Sequence, residues 1–307
     1  MVPRRTGLFA CCRSGGAGDA LPAAVRRVIP GKRGDYMRCD NAAGHARARD
    51  GMSGDFIEIK QGNACALVLR KQADIISSAL FDGAGCRPLD AAGRGAMTQF
   101  PLGDGRTGIL RVCRRGGLLR RLVKEGFLLR NRPLEEFHVH QAARARGIPA
   151  PALLGVRWER RGTFYYGALA TELLPGCDLD AWLRANAENP ESTAVTLQRC
   201  GATIRHMHDN GVYHADLQLK NIFVADNGIF LLDFDRARLH DALSTTQRAR
   251  NLLRLRRSFE KRGHPVENWR ALLDRYGDIT FPFYLDAAYR VKAWFSDMIQ
   301  GRRTMQV

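Results

Sequence analysis

The stretch richest in reactive side chains is Val212-Tyr213-His214-Ala215-Asp216-Leu217-Gln218-Leu219-Lys220-Asn221-Ile222-Phe223-Val224, with Leu231-Leu232-Asp233-Phe234-Asp235 shortly after it. It supplies an imidazole, an amide and several carboxylates within a short span. A carboxylate can orient a hydroxyl and accept its proton, and carboxylate and amide oxygens suit a hard cation such as Mg2+. Taken singly, Asp216 and Asn221 would be read as turn residues and Asp233 as a cap. His138/His140 and His206/His208 are spaced i, i+2, which diverges on a helix, and no two cysteines form a C-x-x-C pair, so no metal site is expected from them.

The elements that must position these groups follow from pattern. Phe56-Ile57-Glu58-Ile59-Lys60 alternates, and Ala64 to Leu69 has the length of a buried strand. Met97 to Leu102 and Gly108 to Val112 read as strands joined around Gly103-Asp104-Gly105. Pro133 opens a helix with Leu134, Phe137, Gln141 and Ala145 on one face, ending at Gly147. A second hairpin spans 153–158 and 163–173, and Leu174-Pro175-Gly176 reads as a hinge. Beyond it, Ser192 or Thr193 caps a helix burying Leu197, Cys200, Ile204, Met207 and His208. Short strands at 222–224 and 229–232 flank Asp226-Asn227-Gly228, and 243–299 is mainly helical. A β-rich part followed by an α-rich part is an α+β order.

Composition bounds the class. The chain has 307 residues, 45% of them hydrophobic and 26% charged, which is ordinary globular usage. No run of 18 apolar residues occurs, so no membrane span is expected, and the N-terminus has too short an apolar core for a secretory signal. Residues 1–52 carry ten basic and four acidic residues without sustained period and read as a disordered basic arm. Forty-eight Lys plus Arg against 31 Asp plus Glu leaves +17, a balance that favours polyanionic partners. No RNA- or DNA-reading motif appears, so nucleic acid is not the expected partner.

The segment from His214 to Asp235 has the form H-x-D-L-x-x-x-N, hydrophobic hairpin, D-F-x, and it resembles the catalytic loop and metal-binding triplet of the protein-kinase-like fold. The resemblance implies a bilobal enzyme, with an N-lobe over 53–176 and a C-lobe over 177–307. It implies Asp216 as the base or orienting carboxylate, Asn221 and Asp233 as Mg2+ ligands and His214 as a structural strut. Upstream, Gly93-Arg94-Gly95 takes the place of a glycine-rich phosphate loop, although a G-x-G is equally a turn. Arg111 stands where kinases present a lysine, and its partner would be Glu136, with Glu135 the alternative by a one-residue slip. Asp235 replaces the glycine of D-F-G, and no A-P-E follows, so a small-molecule, sugar or lipid hydroxyl is a better acceptor than a peptide.

Further blocks narrow the resemblance. These are G-R-G at 93–95, L-R-x-x-R-R-G-G-L at 110–118, E-F at 136–137, G-I-P-A-P at 147–151 and T-E-L-L-P-G at 171–176. H-A-D-L at 214–217, L-D-F-D-R at 232–236, N-L-x-R-L-x-R-S-F-E-K at 251–261 and N-W at 268–269 complete them. Over about 55–275 the chain is similar to the kinases of 3-deoxy-D-manno-octulosonic acid (Kdo) in Gram-negative lipopolysaccharide assembly. That resemblance implies ATP and Mg2+ as cofactors, transfer to the 4-hydroxyl of Kdo-lipid A, and a peripheral location at the cytoplasmic face of the inner membrane. The basic stretches 111–132 and 248–262 would then meet lipid phosphates and an anionic membrane surface. Other readings are a heptose or aminoglycoside kinase of the same fold, or a degenerate kinase-like protein that binds polyanions.

Overall fold

The computed structural model describes residues 55–89, 97–113, 127–285 and 289. The arm expected over 1–52, the glycines at 116–117 and the helix expected to run on to 299 lie, wholly or in part, outside the described residues.

β1 (Phe56–Gln61) and β2 (Ala64–Leu69) form an antiparallel hairpin. β2 alternates: Ala64, Ala66 and Val68 are buried on one face and Cys65 and Leu67 lean toward the other. α1 (Ala73–Asp82) covers the first face with Ile76, Ala79 and Leu80. After β3 (Arg87–Leu89), β4 (Met97–Pro101) and β5 (Thr107–Val112) pair around the expected turn. β6 (Phe127–Leu128) precedes α2 (Arg132–Ala145), which covers the second face, and β7 (Leu153–Arg161) and β8 (Phe164–Glu172) make the long hairpin. The sheet runs β1-β2-β7-β8-β5-β4-β3, with β6 also on β8. A bulge between Leu153 and Gly155 re-phases β7, so Leu154 joins the α1 side while Leu153, Val156 and Trp158 join Phe137 of α2.

The chain then crosses into β9 (Gly176–Asp178), α3 (Leu179–Ala185) and α4 (Pro190–Asp209). Asn189, not Ser192 or Thr193, caps α4: its side chain accepts from Ser192 N, and Pro190 needs no hydrogen-bond partner in the first turn. β10 (Val212–Tyr213) pairs with β13 (Arg238–Leu239), and between them β11 (Ile222–Ala225) and β12 (Gly228–Leu231) form the expected hairpin, with β9 beside β11. α5 (Thr245–Lys261) and α6 (Val266–Tyr276) close the core.

Leu197, Cys200, Ile204 and Met207 of α4 meet Leu217, Ile222, Leu231, Phe234, Leu252 and Leu272 in one cluster. Each such side chain contributes about 1.5–3 kcal/mol by leaving water. α4 and α6 approach so closely that a Cβ at Gly201 would lie 2.1 Å from the Leu272 carbonyl oxygen, so only glycine fits there. The β-rich then helix-rich order is the α+β arrangement expected from sequence. Among the described residues, no helix is long and apolar enough to cross a membrane.

Candidate active site

A cleft of about 400 Å³ opens between the sheet and the β11–β12 hairpin. Ile109, Val112 and Leu169 line it from the sheet and Phe223 and Leu232 from the hairpin and the segment after it, giving it apolar walls. At one end the lining turns polar, with Arg111, Glu136, Lys220, Asn221 and Asp233.

The loop after β10 is pinned from beneath by one face of α5. Asn251 Oδ1 accepts from His214 N at 3.1 Å, and Ser258 Oγ accepts from Leu219 N at 3.2 Å. Arg254, between them on the same face, reaches Asp216 Oδ1 with Nη2 at 2.6 Å. The i, i+3, i+7 spacing of these polar residues matches one helical face. His214 is buried and holds the carbonyl of Leu232 through Nε2 at 2.9 Å, which ties the loop to the segment after β12 that carries Asp233.

Asn221 donates Nδ2 to the Asp216 carbonyl at 2.8 Å, and this leaves Oδ1 as the amide atom able to face a cation. Asp233 has φ 64°, the left-handed region that Asp tolerates better than most residues. Its Oδ1 accepts from Asp235 N at 3.4 Å. Backbone held this way costs of the order of 1–3 kcal/mol and clusters at functional sites.

Arg111, near the end of β5, contacts Glu136 of α2 through Nη2 and lies 3.8 Å from Asp233 Oδ1 through Nη1. Glu136 is 4% exposed, and burial pushes its carboxyl upward while Arg111 pulls it back. The same pairing, chiefly with Glu136, holds Arg111 firmly charged. Glu135 turns away and pairs with Arg130, so helix phase decides between the two glutamates. A second pair, Arg132 with Asp235, anchors the start of α2 to the segment after Asp233. Phe234 is packed between His140 of α2, ring centroids 4.9 Å apart, and His214, 5.5 Å apart.

Arg111, Glu136, Asn221 and Asp233 line the cleft together, and Asp216 sits just outside the lining, its carbonyl held by Asn221 and its carboxylate by Gln218, whereas Gly93, Arg94 and Gly95 lie outside the described residues. From sequence, Asn251, Arg254 and Ser258 stood only as positions of the 251–261 block and His140 only in a pair set aside as a metal site, none of them with a role here. For His140, Asn251 and Ser258 the signal was a polar residue on the buried face of a helix, whereas Arg254 is exposed and gave no such signal.

The donor set fits Mg2+. Among the described residues, no group of three or more His, Cys, Asp or Glu is placed to hold a metal ion. Mg2+ needs no such cage, because it keeps waters and phosphate oxygens and takes only one or two protein oxygens. Asp233 and the Asn221 amide supply those, with Arg111 as a fixed positive charge alongside.

Two histidines of this framework are held neutral. Burial, the largest cause in each case, pulls His140 and His208 down to about 4 from 6.5. The unfolded chain gains protons near pH 6.5 and the folded one only near 4, so stability present above 6.5 is lost as the pH falls toward 4. At pH 5 the loss is roughly 2 kcal/mol per histidine. The urea midpoint should fall between pH 7 and pH 5, and His208→Gln should remove from that fall the roughly 2 kcal/mol that His208 contributes. A variant with the same pH dependence as the parent would contradict this assignment.

The basic residues of 248–262 are mostly engaged within the fold. Arg248 pairs with Asp209 at 2.6 Å, Arg256 with Glu260 at 3.1 Å and Arg262 with Asp180 at 2.7 Å, besides Arg254 with Asp216. Their pattern therefore reflects anchoring of α5 as well as surface charge.

Residues 90–276 match the profile of the lipopolysaccharide kinase (Kdo/WaaP) family. A protein named 3-deoxy-D-manno-octulosonic acid kinase from Vibrio vulnificus (strain YJ016) is 34% identical over 177 residues, covering 56% of this chain and 72% of its own length. One of the same name from Xylella fastidiosa (strain M23) is 31% identical over 185 residues, covering 58% and 72%. Among solved structures, "WaaP in complex with acyl carrier protein" aligns at a TM-score of 0.47 and 17% identity, over 68% of this chain and 88% of that one.

Proposed function

Because the chain belongs to the lipopolysaccharide kinase (Kdo/WaaP) family, we propose that it uses ATP and Mg2+ to phosphorylate the 4-hydroxyl of Kdo in Kdo-lipid A, during assembly of the lipopolysaccharide inner core. The observation that carries this reading is a partly apolar cleft lined by both Asn221 and Asp233, with Asp216 held beside them through the Asn221 amide.

In this reading the apolar slot holds the nucleotide base and Arg111 faces the phosphates, kept in place by Glu136. Asn221 Oδ1 and Asp233 would hold Mg2+. Bound Mg2+ supplies charge neutralisation and alignment of the phosphate oxygens. Asp216 orients the sugar hydroxyl toward the γ-phosphorus and takes its proton as the bond to phosphorus forms. The Gly93 to Gly95 segment would cover the phosphates with backbone N–H groups.

An acceptor carrying lipid A is reached at a membrane surface. We place the protein peripherally at the cytoplasmic face of the inner membrane, supported by its charge of +17 and by the phosphates and carboxylate of the acceptor. Kdo-lipid A, heptosylated core and an aminoglycoside, each incubated with labelled ATP and Mg2+, should show label on the Kdo sugar alone. Label only on another acceptor would overturn the assignment.

A further inference from the structure

Asp216 carries a partner on each carboxylate oxygen. Gln218 Nε2 donates to Oδ2 at 2.8 Å, while Arg254 brings Nε to 2.9 Å and Nη2 to 2.6 Å of Oδ1. The three α5 residues that meet this loop are unequal. Asn251 and Ser258 are buried and hold backbone N–H groups, which is structural work. The Arg254 side chain is 53% exposed and holds only the carboxylate. A pair so exposed adds little to stability. Two of the five N–H donors of its guanidinium engage Asp216, which leaves three directed elsewhere.

Neither Arg254 nor Asp216 lines the cleft, although Gln218 and Asn221 beside them do. Arg254 therefore holds Asp216 from outside the cleft that Arg111 and Asp233 line, and its half-exposed guanidinium is open to an acceptor arriving from solvent. A planar guanidinium there matches a carboxylate with two parallel hydrogen bonds.

We propose that Arg254 recognises the carboxylate of the acceptor sugar and gates Asp216. In the free protein it holds Asp216 Oδ1. An arriving carboxylate draws the guanidinium away, so that Asp216 meets the hydroxyl only when an anionic acceptor is in place. Arg254 is thus a specificity residue for acid sugars and a positioning residue for Asp216. The inference rests on the kinase reading above and adds a selection rule to it.

The test compares Kdo-lipid A with its Kdo methyl ester, using the full chain, its Arg254→Gln variant and its Arg254→Lys variant. The parent should prefer the free acid. Arg254→Gln should raise KM for the acid by roughly 10–100-fold, the size expected for losing a charge-assisted pair, with kcat within about threefold. With the ester its kcat should exceed the parent's, because without the guanidinium Asp216 Oδ1 is free whether or not a carboxylate arrives, and Arg254→Lys should fall between. Parent-like thermal midpoints for both variants show that the fold is kept. If Arg254→Gln impairs acid and ester alike, or the parent does not distinguish them, the carboxylate role is wrong while the kinase reading stands. If the parent transfers phosphate to neither, the kinase reading itself fails.

Discussion

Asp216→Ala is expected to lower kcat by roughly 10²–10⁴-fold, the usual worth of a positioned proton acceptor. Nucleotide affinity should stay within a few-fold of the parent, because Asp216 lies outside the lining of the cleft and its carbonyl, which holds Asn221, survives the substitution. The fold should survive as well. The partners left behind, Arg254 and Gln218, lie at the surface or part-buried and can turn to water. Initial rates with saturating Mg2+-ATP and Kdo-lipid A, beside a fluorescent-nucleotide titration, read both expectations. A rate within tenfold of the parent would remove Asp216 from the mechanism.

Asp233→Asn is expected to cost about 10³-fold in kcat/KM at millimolar Mg2+, with partial recovery as Mg2+ is raised. Asparagine keeps the shape and tolerates the left-handed backbone at φ 64°, so the change isolates charge from conformation. The variant loses the one carboxylate of the site that faces both Arg111, 3.8 Å away, and the place where Mg2+ would bind. Several kcal/mol of charge stabilisation are at stake, and each 1.36 kcal/mol is tenfold in rate. Activity measured across a Mg2+ titration separates the possibilities. An unchanged half-saturating Mg2+ concentration would show that Asp233 is not a ligand.

What could be read from the sequence divides along physical lines. Asp216, Asn221 and Asp233 were legible because a loop and one short hairpin carry all three, so their geometry is local. Arg111 was legible from its place on a strand. Its partner Glu136 was legible only with Glu135 as an alternative, because deciding between them requires the phase of α2. The expected face, Leu134, Phe137, Gln141 and Ala145, assumed that buried positions are apolar. The observed face buries Pro133, Glu136, Phe137, His140 and Ala143, two of them ionisable, because it looks onto Arg111 and Phe234 as well as the sheet.

α5 was read only in part for the same reason. Its arginines were legible as surface charge, but not that Asn251, Arg254 and Ser258 form a polar stripe that holds the loop carrying Asp216. A sequence shows such a stripe but not what faces it. α1 went unnoticed because it has no side-chain cap, and α3 because seven residues give too short a period to register.

The central claim is that Asn221 and Asp233 share one metal ion at the terminal phosphates of a nucleotide in this cleft, with Asp216 alongside. A crystal structure with Mn2+ and a non-hydrolysable ATP analogue tests it most directly, since Mn2+ is located by its anomalous scattering. The predicted result is a metal peak within coordination distance of Asn221 Oδ1 and an Asp233 carboxylate oxygen, the base between Ile109 and Leu232, and the γ-phosphate turned toward Asp216. A nucleotide bound elsewhere, or a metal held by neither side chain, would contradict it.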